Sequence, residues 1–162
     1  MVEEIEAVKI NEMQIRDFLE LIRENTAIQE KKKVIQELMK KGAKFFFIIV
    51  KGTRIRVGGF AISPKEIKET KEHIRILPGE IGFFAIKKQF RGKPKLSLAA
   101  LKLLESTAKS MGLKKIVAKV DPDNPNWRRF AGKGKSAKTV FGYSRLNFTR
   151  PSKNIHWTKK LK

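Results

Sequence analysis

Cysteine is absent from the chain, and acidic residues stop at Asp123. The first absence excludes disulfides, thiolate metal sites and cysteine nucleophiles, and it fits a reducing compartment. The second leaves eleven Lys and Arg residues after Asp123 with no carboxylate among them. No apolar run approaches the length that crosses a bilayer. The opening MVEEIEAVKINEM is acidic and lacks the basic and then apolar stretches of a secretory signal. A cytoplasmic protein with no membrane partner is therefore expected. Histidine occurs only as His73 and His156, too few and too scattered for a metal site. Tyr143 is the single tyrosine.

What is present points to a folded chain. Hydrophobic residues make up 41% of the 162 and include eleven Phe, enough for one good core and too little length for two. One domain over residues 1–162 is expected. The charge is unevenly placed. Residues 1–80 hold 16 Lys and Arg against 13 Asp and Glu, whereas residues 81–162 hold 21 against 3, a net of +18. A field of one sign on the second half of the chain attracts a polyanion; the alternative is a solvated lysine-rich surface.

Hydrophobic periodicity orders the elements. EAVKI (6–10) reads as a strand. Asn11 and Gln14 form a capping-box pattern ahead of Ile15, Phe18, Leu19 and Ile22 at helical spacing, and Thr26 with Gln29 repeats the pattern ahead of Ile35, Leu38 and Met39, with Gly42 as the stop. KFFFIIV (44–50) is a buried strand, Lys51-Gly52-Thr53 a turn, and RIRVGGFAI (54–62) the returning strand. SPKEIKETKEHIRILPG reads as a polar surface loop. EIGFFAIKK (80–88) is the next strand, and after Arg91-Gly92-Lys93-Pro94 a helix runs to Met111 with Gly112 behind it. KKIVAKV (114–120) is a strand, DPDNPN a turn, and a short helix starts near Asn126. TVFGYSRL (139–146) and NIHWTKKL (154–161) are the last strands. The order β-α-α-β-β-β-α-β-α-β-β predicts an α/β (mixed α+β) fold, with a mixed central sheet of about six to seven strands flanked by about four helices.

The stretch from Glu80 to Leu113 carries a resemblance. After the apolar strand ending at Ile86, four residues (Lys87-Lys88-Gln89-Phe90) lead to Arg91-Gly92-Lys93 at the start of a helix. This resembles the GNAT superfamily of acetyl-CoA-dependent N-acetyltransferases, whose fourth strand leads to a loop of the form [Arg/Gln]-x-x-Gly-x-[Gly/Ala]. MGLKKIVAKV, NPNWRRF and IHWTKKL are similar to the helix end, Asn-containing turn and closing strand of that family, so the resemblance covers nearly the whole chain. It departs in the loop: Pro94 and Leu96 stand where the family carries Gly and then Gly or Ala, and the helix register suggests one extra residue before Ser97. Proline suits the first helical position, whose N–H lacks an intrahelical partner in any case.

The resemblance implies acetyl-CoA as co-substrate and an amine-bearing acceptor. It implies that the backbone of Phe84, Ala85 and Ile86 lies along the pantetheine arm, with one N–H polarising the thioester carbonyl. The turn of Arg91, Gly92, Lys93, Pro94, Lys95 and Ser97 would face the pyrophosphate, with Asn124 and Asn126 beside the pantetheine. Glu80 matches a carboxylate that some members use as general base through water. A family tyrosine that protonates the leaving thiolate falls on Phe130, which leaves Tyr143 as the candidate donor. Residue type alone reads these positions differently: Glu80 as a solvated or paired charge at a strand end, Tyr143 as packing, Asn124 and Asn126 as turn formers.

A non-catalytic nucleic-acid-binding module, or a nucleic-acid-associated structural protein, on the same fold is the competing expectation. Residues 126–162 interleave Lys and Arg with Trp, Phe and Tyr, a composition that neutralises phosphates and stacks on bases. Coenzyme A carries only a few negative charges, so nonspecific nucleic acid is the second partner that the residues imply. GKGKSAKT (132–139) is not a P-loop, because Arg129 stands where that motif needs glycine.

Overall fold

A computed structural model describes residues 4–23, 32–68, 76–120, 144–146 and 155–161. Within these, seven strands form one sheet: β1 (Ile5–Lys9), β2 (Lys44–Val50), β3 (Arg56–Ser63), β4 (Glu80–Ile86), β5 (Lys115–Val120), β6 (Ser144–Leu146) and β7 (Ile155–Lys160). Three α-helices accompany them: α1 (Ile15–Ile22), α2 (Lys32–Lys40) and α3 (Pro94–Ser110). Strand order across the sheet is β1-β2-β3-β4-β5-β7-β6, antiparallel throughout except where β4 meets β5 in parallel. The mixed sheet and its flanking helices are those the periodicity predicts. The helix expected near Asn126, the capping pattern at Thr26 and most of the strand expected over 139–146 lie outside the described residues.

β2 shows why this sequence makes a central strand. Its side chains alternate between faces, and both sets are apolar, so both faces must be covered. Phe45 and Phe47 pack under α1 and α2 with Phe18, Leu19, Ile22, Val34, Ile35 and Leu38. Phe46 and Ile48 face the other way, where Phe60, Ile62, Ala100, Leu104, Ala108 and Ile116 bring α3 against the sheet. The Phe18 ring meets Phe45 edge-on at 5.4 Å and Phe47 at 5.9 Å. Truncating a buried Phe of this kind costs about 3–5 kcal/mol.

Local chemistry sets the element ends. The Gln14 side chain accepts the Asn11 backbone N–H at 3.1 Å, so α1 begins from one turn of 3-10 helix over Glu12–Gln14. Gly42 takes a positive φ of 104° behind α2. The segment after β3 differs from a simple surface loop: Ile67 is buried and bridges Ile76 by two backbone hydrogen bonds of 2.9 and 2.8 Å.

Candidate active site

The sheet opens between β4 and β5. The two strands pair only at Glu80↔Val117 and Ile81↔Ala118 and then diverge. Beyond Ile81, no strand among the described residues covers the edge of β4 that faces β5. That edge is therefore available to a ligand's amide groups, as an exposed strand is to any extended chain.

A bulge in β4 accompanies the opening. Gly59 pairs with Ala85 and Ala61 with Gly82, so Phe83 and Phe84 on β4 face Phe60 alone on β3. Phe83 absorbs the extra residue with φ of 55°, a conformation that costs a bulky residue about 1–3 kcal/mol. Its ring offsets the strain by packing 5.2 Å from Phe45 and 6.5 Å from Phe18. Phe84 is exposed and Ala85 buried. On the β3 side Gly58 allows the close approach, because a Cβ there would run into the Ala85 carbonyl oxygen.

The closed end of the opening is built by Leu77-Pro78-Gly79-Glu80. Proline and then a glycine at φ of 80°, with Glu80 N–H donating to the Leu77 carbonyl at 3.0 Å, make a type II turn. Gly79 donates its N–H to the Ser63 carbonyl at 2.7 Å, and its own carbonyl accepts the Val117 N–H at 2.9 Å. The turn is thus fixed to β3 on one side and β5 on the other. Glu80 follows, 8% exposed, and its carboxylate accepts the Leu77 N–H at 3.4 Å. Ser63 stands directly across the ladder from it at 5% exposure. Among the described residues these two are the buried polar side chains.

At the open end, β4 runs into the basic turn. The Lys87 N–H still donates to the Val57 carbonyl at 2.8 Å, one 3-10 turn follows over Lys88–Phe90, and Gly92 reverses the chain at φ of 81°. α3 then starts with Pro94 as its first residue. The N–H groups of Leu96 and Ser97 both return to the Lys93 carbonyl at 3.1 Å, and Pro94 has none. The amides of Gly92, Lys93 and Lys95 have no acceptor among the described residues. Three unaccepted amides at a helix N-terminus are an anion site in form, and the exposed Arg91, Lys93 and Lys95 add charge to it. Arg91 also braces the turn, its Nε donating to the Ile86 carbonyl at 2.8 Å. Lys93 Nζ lies 5.8 Å over the Phe90 ring. No carboxylate occurs between Glu80 and Glu105.

Of the residues singled out in the sequence, Phe84, Ala85, Ile86, Arg91, Gly92, Lys93, Pro94, Lys95 and Ser97 lie on one continuous path from the bulge to the first turn of α3, with Glu80 at its other end. Tyr143, Asn124, Asn126 and Phe130 lie outside the described residues. Sequence reading overlooked Ser63, Gly58 and Phe83. The pair Gly58-Gly59 inside an apolar strand was the available signal of a close backbone approach. Among the described residues no group of three or more His, Asp or Glu is placed to hold a metal, and no helix is long and apolar enough to cross a membrane.

Comparison with known proteins bears on the family and the fold. A family model described as an acetyltransferase (GNAT) domain matches residues 3–134. Among solved structures, the chain is similar to Ard1 from Thermoplasma volcanium (14% identity, TM-score 0.62, covering 98% of this chain and 99% of that one). It is also similar to an acetyltransferase from Thermus thermophilus (11% identity, TM-score 0.64, covering 99% and 100%). A third is the ribosomal-protein-S5-alanine acetyltransferase from Vibrio fischeri (14% identity, TM-score 0.59, covering 100% and 96%). At these identities the likeness is one of fold. No curated protein matches the chain in sequence.

Proposed function

The chain belongs to the GNAT acetyltransferase family, and from that premise we propose that it transfers the acetyl group of acetyl-CoA to the nitrogen of an amine acceptor. One observation carries the reading: the edge of β4, which no described strand covers beyond Ile81, leads without interruption into a turn whose Gly92, Lys93 and Lys95 amides lack acceptors among the described residues. An extended amide-bearing chain fits the edge and a pyrophosphate fits the turn. Acetyl-CoA supplies both, with an activated acyl group at the far end.

The chemistry needs a neutral amine, a polarised carbonyl and a proton for the departing thiolate. Glu80, buried at the closed end, is the base, taking the amine's proton through a water molecule. A backbone N–H of the bulged segment Phe84–Ile86 polarises the carbonyl, held in place by the ladder to β3. Arg91, Lys93 and Lys95 neutralise the phosphates. Tyr143 is the candidate proton donor on residue type. The acceptor is favoured to be acidic or neutral overall, since the basic half of the chain repels a polycation. Isothermal titration with acetyl-CoA tests the premise, and thiol release with a pool of primary amines tests the transfer. An acidic alanine-initiated peptide, glutamate and an amino sugar make up the pool, with spermidine as the polycation expected to react least.

A second reading rests on charge. Lys95, Lys102 and Lys109 are all exposed on α3 and follow at intervals of seven, so they line one side of the helix about 10 Å apart. They continue the cations of the turn beyond the reach of one coenzyme. This favours nonspecific binding of nucleic acid by the basic half of the chain, alongside acetyl transfer or in its place.

A further inference from the structure

Ser63 is buried, at 5% exposure, yet among the described residues no group hydrogen-bonds its hydroxyl. A buried hydroxyl without a partner costs free energy, and native folds rarely keep one without a reason. Alanine would fill the same end of β3 without that cost. Ser63 is also held still. Its carbonyl accepts the Gly79 N–H at 2.7 Å, and it pairs with Glu80 across the antiparallel ladder, which puts the two side chains on one face.

The neighbours narrow what the hydroxyl can serve. The row across the sheet at this level is Ser63, Glu80, Val117 and Thr158. Val117 is buried and offers only hydrocarbon. The Thr158 hydroxyl is committed to the Ile116 carbonyl at 3.1 Å. Among the described residues Ser63 thus carries the hydroxyl across the ladder from Glu80, at the closed end of the β4–β5 opening. A bound water needs two or more polar partners in such a place, and a hydroxyl beside a carboxylate supplies them.

We infer that Ser63 is a positioning residue for acetyl transfer, its hydroxyl and the Glu80 carboxylate together holding the water through which the acceptor loses its proton. The inference rests on the acetyl-transfer reading above. In the step, the acceptor's ammonium N–H bond breaks and its proton passes to the water oxygen. The water gives another of its protons to a Glu80 carboxylate oxygen. The amine is left with its lone pair, Glu80 is protonated and the water is regenerated. Ser63 keeps its own proton and fixes the oxygen in line between donor and acceptor.

The test compares Ser63→Ala and Ser63→Thr with the wild type by thermal melting, acetyl-CoA titration and thiol release with the amine pool. In Ser63→Ala, kcat falls about tenfold or more while KM for acetyl-CoA stays within about twofold. Its melting temperature stays close to the wild-type value, because among the described residues the hydroxyl has no protein partner to lose. Ser63→Thr, which keeps the hydroxyl, restores most of kcat. An unchanged kcat in Ser63→Ala, or no restoration by Thr, overturns the relay. A wild type that binds acetyl-CoA but releases no thiol overturns the relay and leaves the cofactor site standing. A wild type that does not bind acetyl-CoA removes both.

Discussion

The Gly79 carbonyl accepts the Val117 N–H at 2.9 Å, which seats the start of β4 against the middle of β5 immediately before the strands part. Gly79 can do this because it lacks a side chain: a Cβ there would lie 2.5 Å from the Lys115 carbonyl oxygen, and its φ is 80°. Gly92 has nearly the same φ, 81°, but open space around it. The contrast separates two costs. Gly92→Ala should lose only the left-handed penalty of about 1 kcal/mol, and Gly79→Ala that penalty plus a backbone clash, about 3 kcal/mol or more in all. Urea unfolding of the two variants measures the difference, and equal losses would mean that the closed end of the opening yields freely.

The turn before α3 should bind acetyl-CoA through amides and side chains together. A ligand specific for the native state stabilises it by about 2.7 kcal/mol at a hundredfold over its dissociation constant, a shift that melting curves resolve easily. Arg91→Glu with Lys93→Glu places two carboxylates beside the amides of Gly92, Lys93 and Lys95 and should abolish the shift. Both side chains are exposed, so the unliganded protein should lose no more than the Arg91 hydrogen bond to the Ile86 carbonyl is worth, about 1 kcal/mol. A shift that survives the double reversal would move the pyrophosphate away from this turn.

Glu80→Gln keeps the size of the side chain and removes the base. Turnover should fall on the order of 10²-fold or more with acetyl-CoA affinity nearly unchanged, since Glu80 lies at the opposite end of β4 from the turn. The rate should also lose its dependence on a group that must be deprotonated. Unaltered turnover in stopped-flow or steady-state thiol release would assign Glu80 to its hydrogen bond with Leu77 and leave the amine to arrive already neutral.

How legible these features are in the sequence follows from how local their causes are. The strand over 44–50 is marked by a run of residues that can only be buried, and its observed ends are Lys44 and Val50. The first turn of α3 is legible from Gly92, whose missing side chain lets the backbone take a positive φ, and from Pro94, which fixes its own φ. The strand expected over 80–88 ends instead at Ile86, and the one expected from Arg54 begins at Arg56. In both places the adjoining turn decides: the 3-10 turn over Lys88–Phe90 follows β4, and ahead of β3 the Thr53 N–H returns to the Val50 carbonyl. Phe83 is harder still, because its bulge exists only in the register between β3 and β4. Ser63 looks like a polar strand end until Glu80, its partner across the ladder, is seen beside it. Ile67 is lost in a polar segment because a single bridge to Ile76 leaves no periodic pattern.

The basic half of the chain should bind nucleic acid with the signature of counterion release. Only Glu105 offsets positive charge among the described residues beyond Ile81, and it is already engaged by Lys159 at 2.8 Å. Lys95, Lys102 and Lys109 are exposed along α3, and the eleven Lys and Arg that follow Asp123 include Arg128, Arg129, Lys133, Lys135, Lys138, Lys153 and Lys160. Each phosphate neutralised releases condensed cations, so the logarithm of the binding constant should fall linearly with the logarithm of salt, by about 0.9 per phosphate on duplex and about 0.7 on single strands. Nothing in the sequence marks a recognition helix, so affinity should vary little with base sequence. Replacing Lys95, Lys102 and Lys109 by Gln should lower the slope by up to three contacts' worth without unfolding the chain, since exposed side chains are being exchanged. The same substitutions leave the amides of Gly92, Lys93 and Lys95 in place, so acetyl-CoA should still bind, with some loss from the Lys95 charge. A labelled oligonucleotide titrated at low salt decides the matter: no binding would reduce the charge to a solvated surface that guides the coenzyme, whereas binding with an unchanged slope in the triple variant would place the contacts on the segment after Asp123.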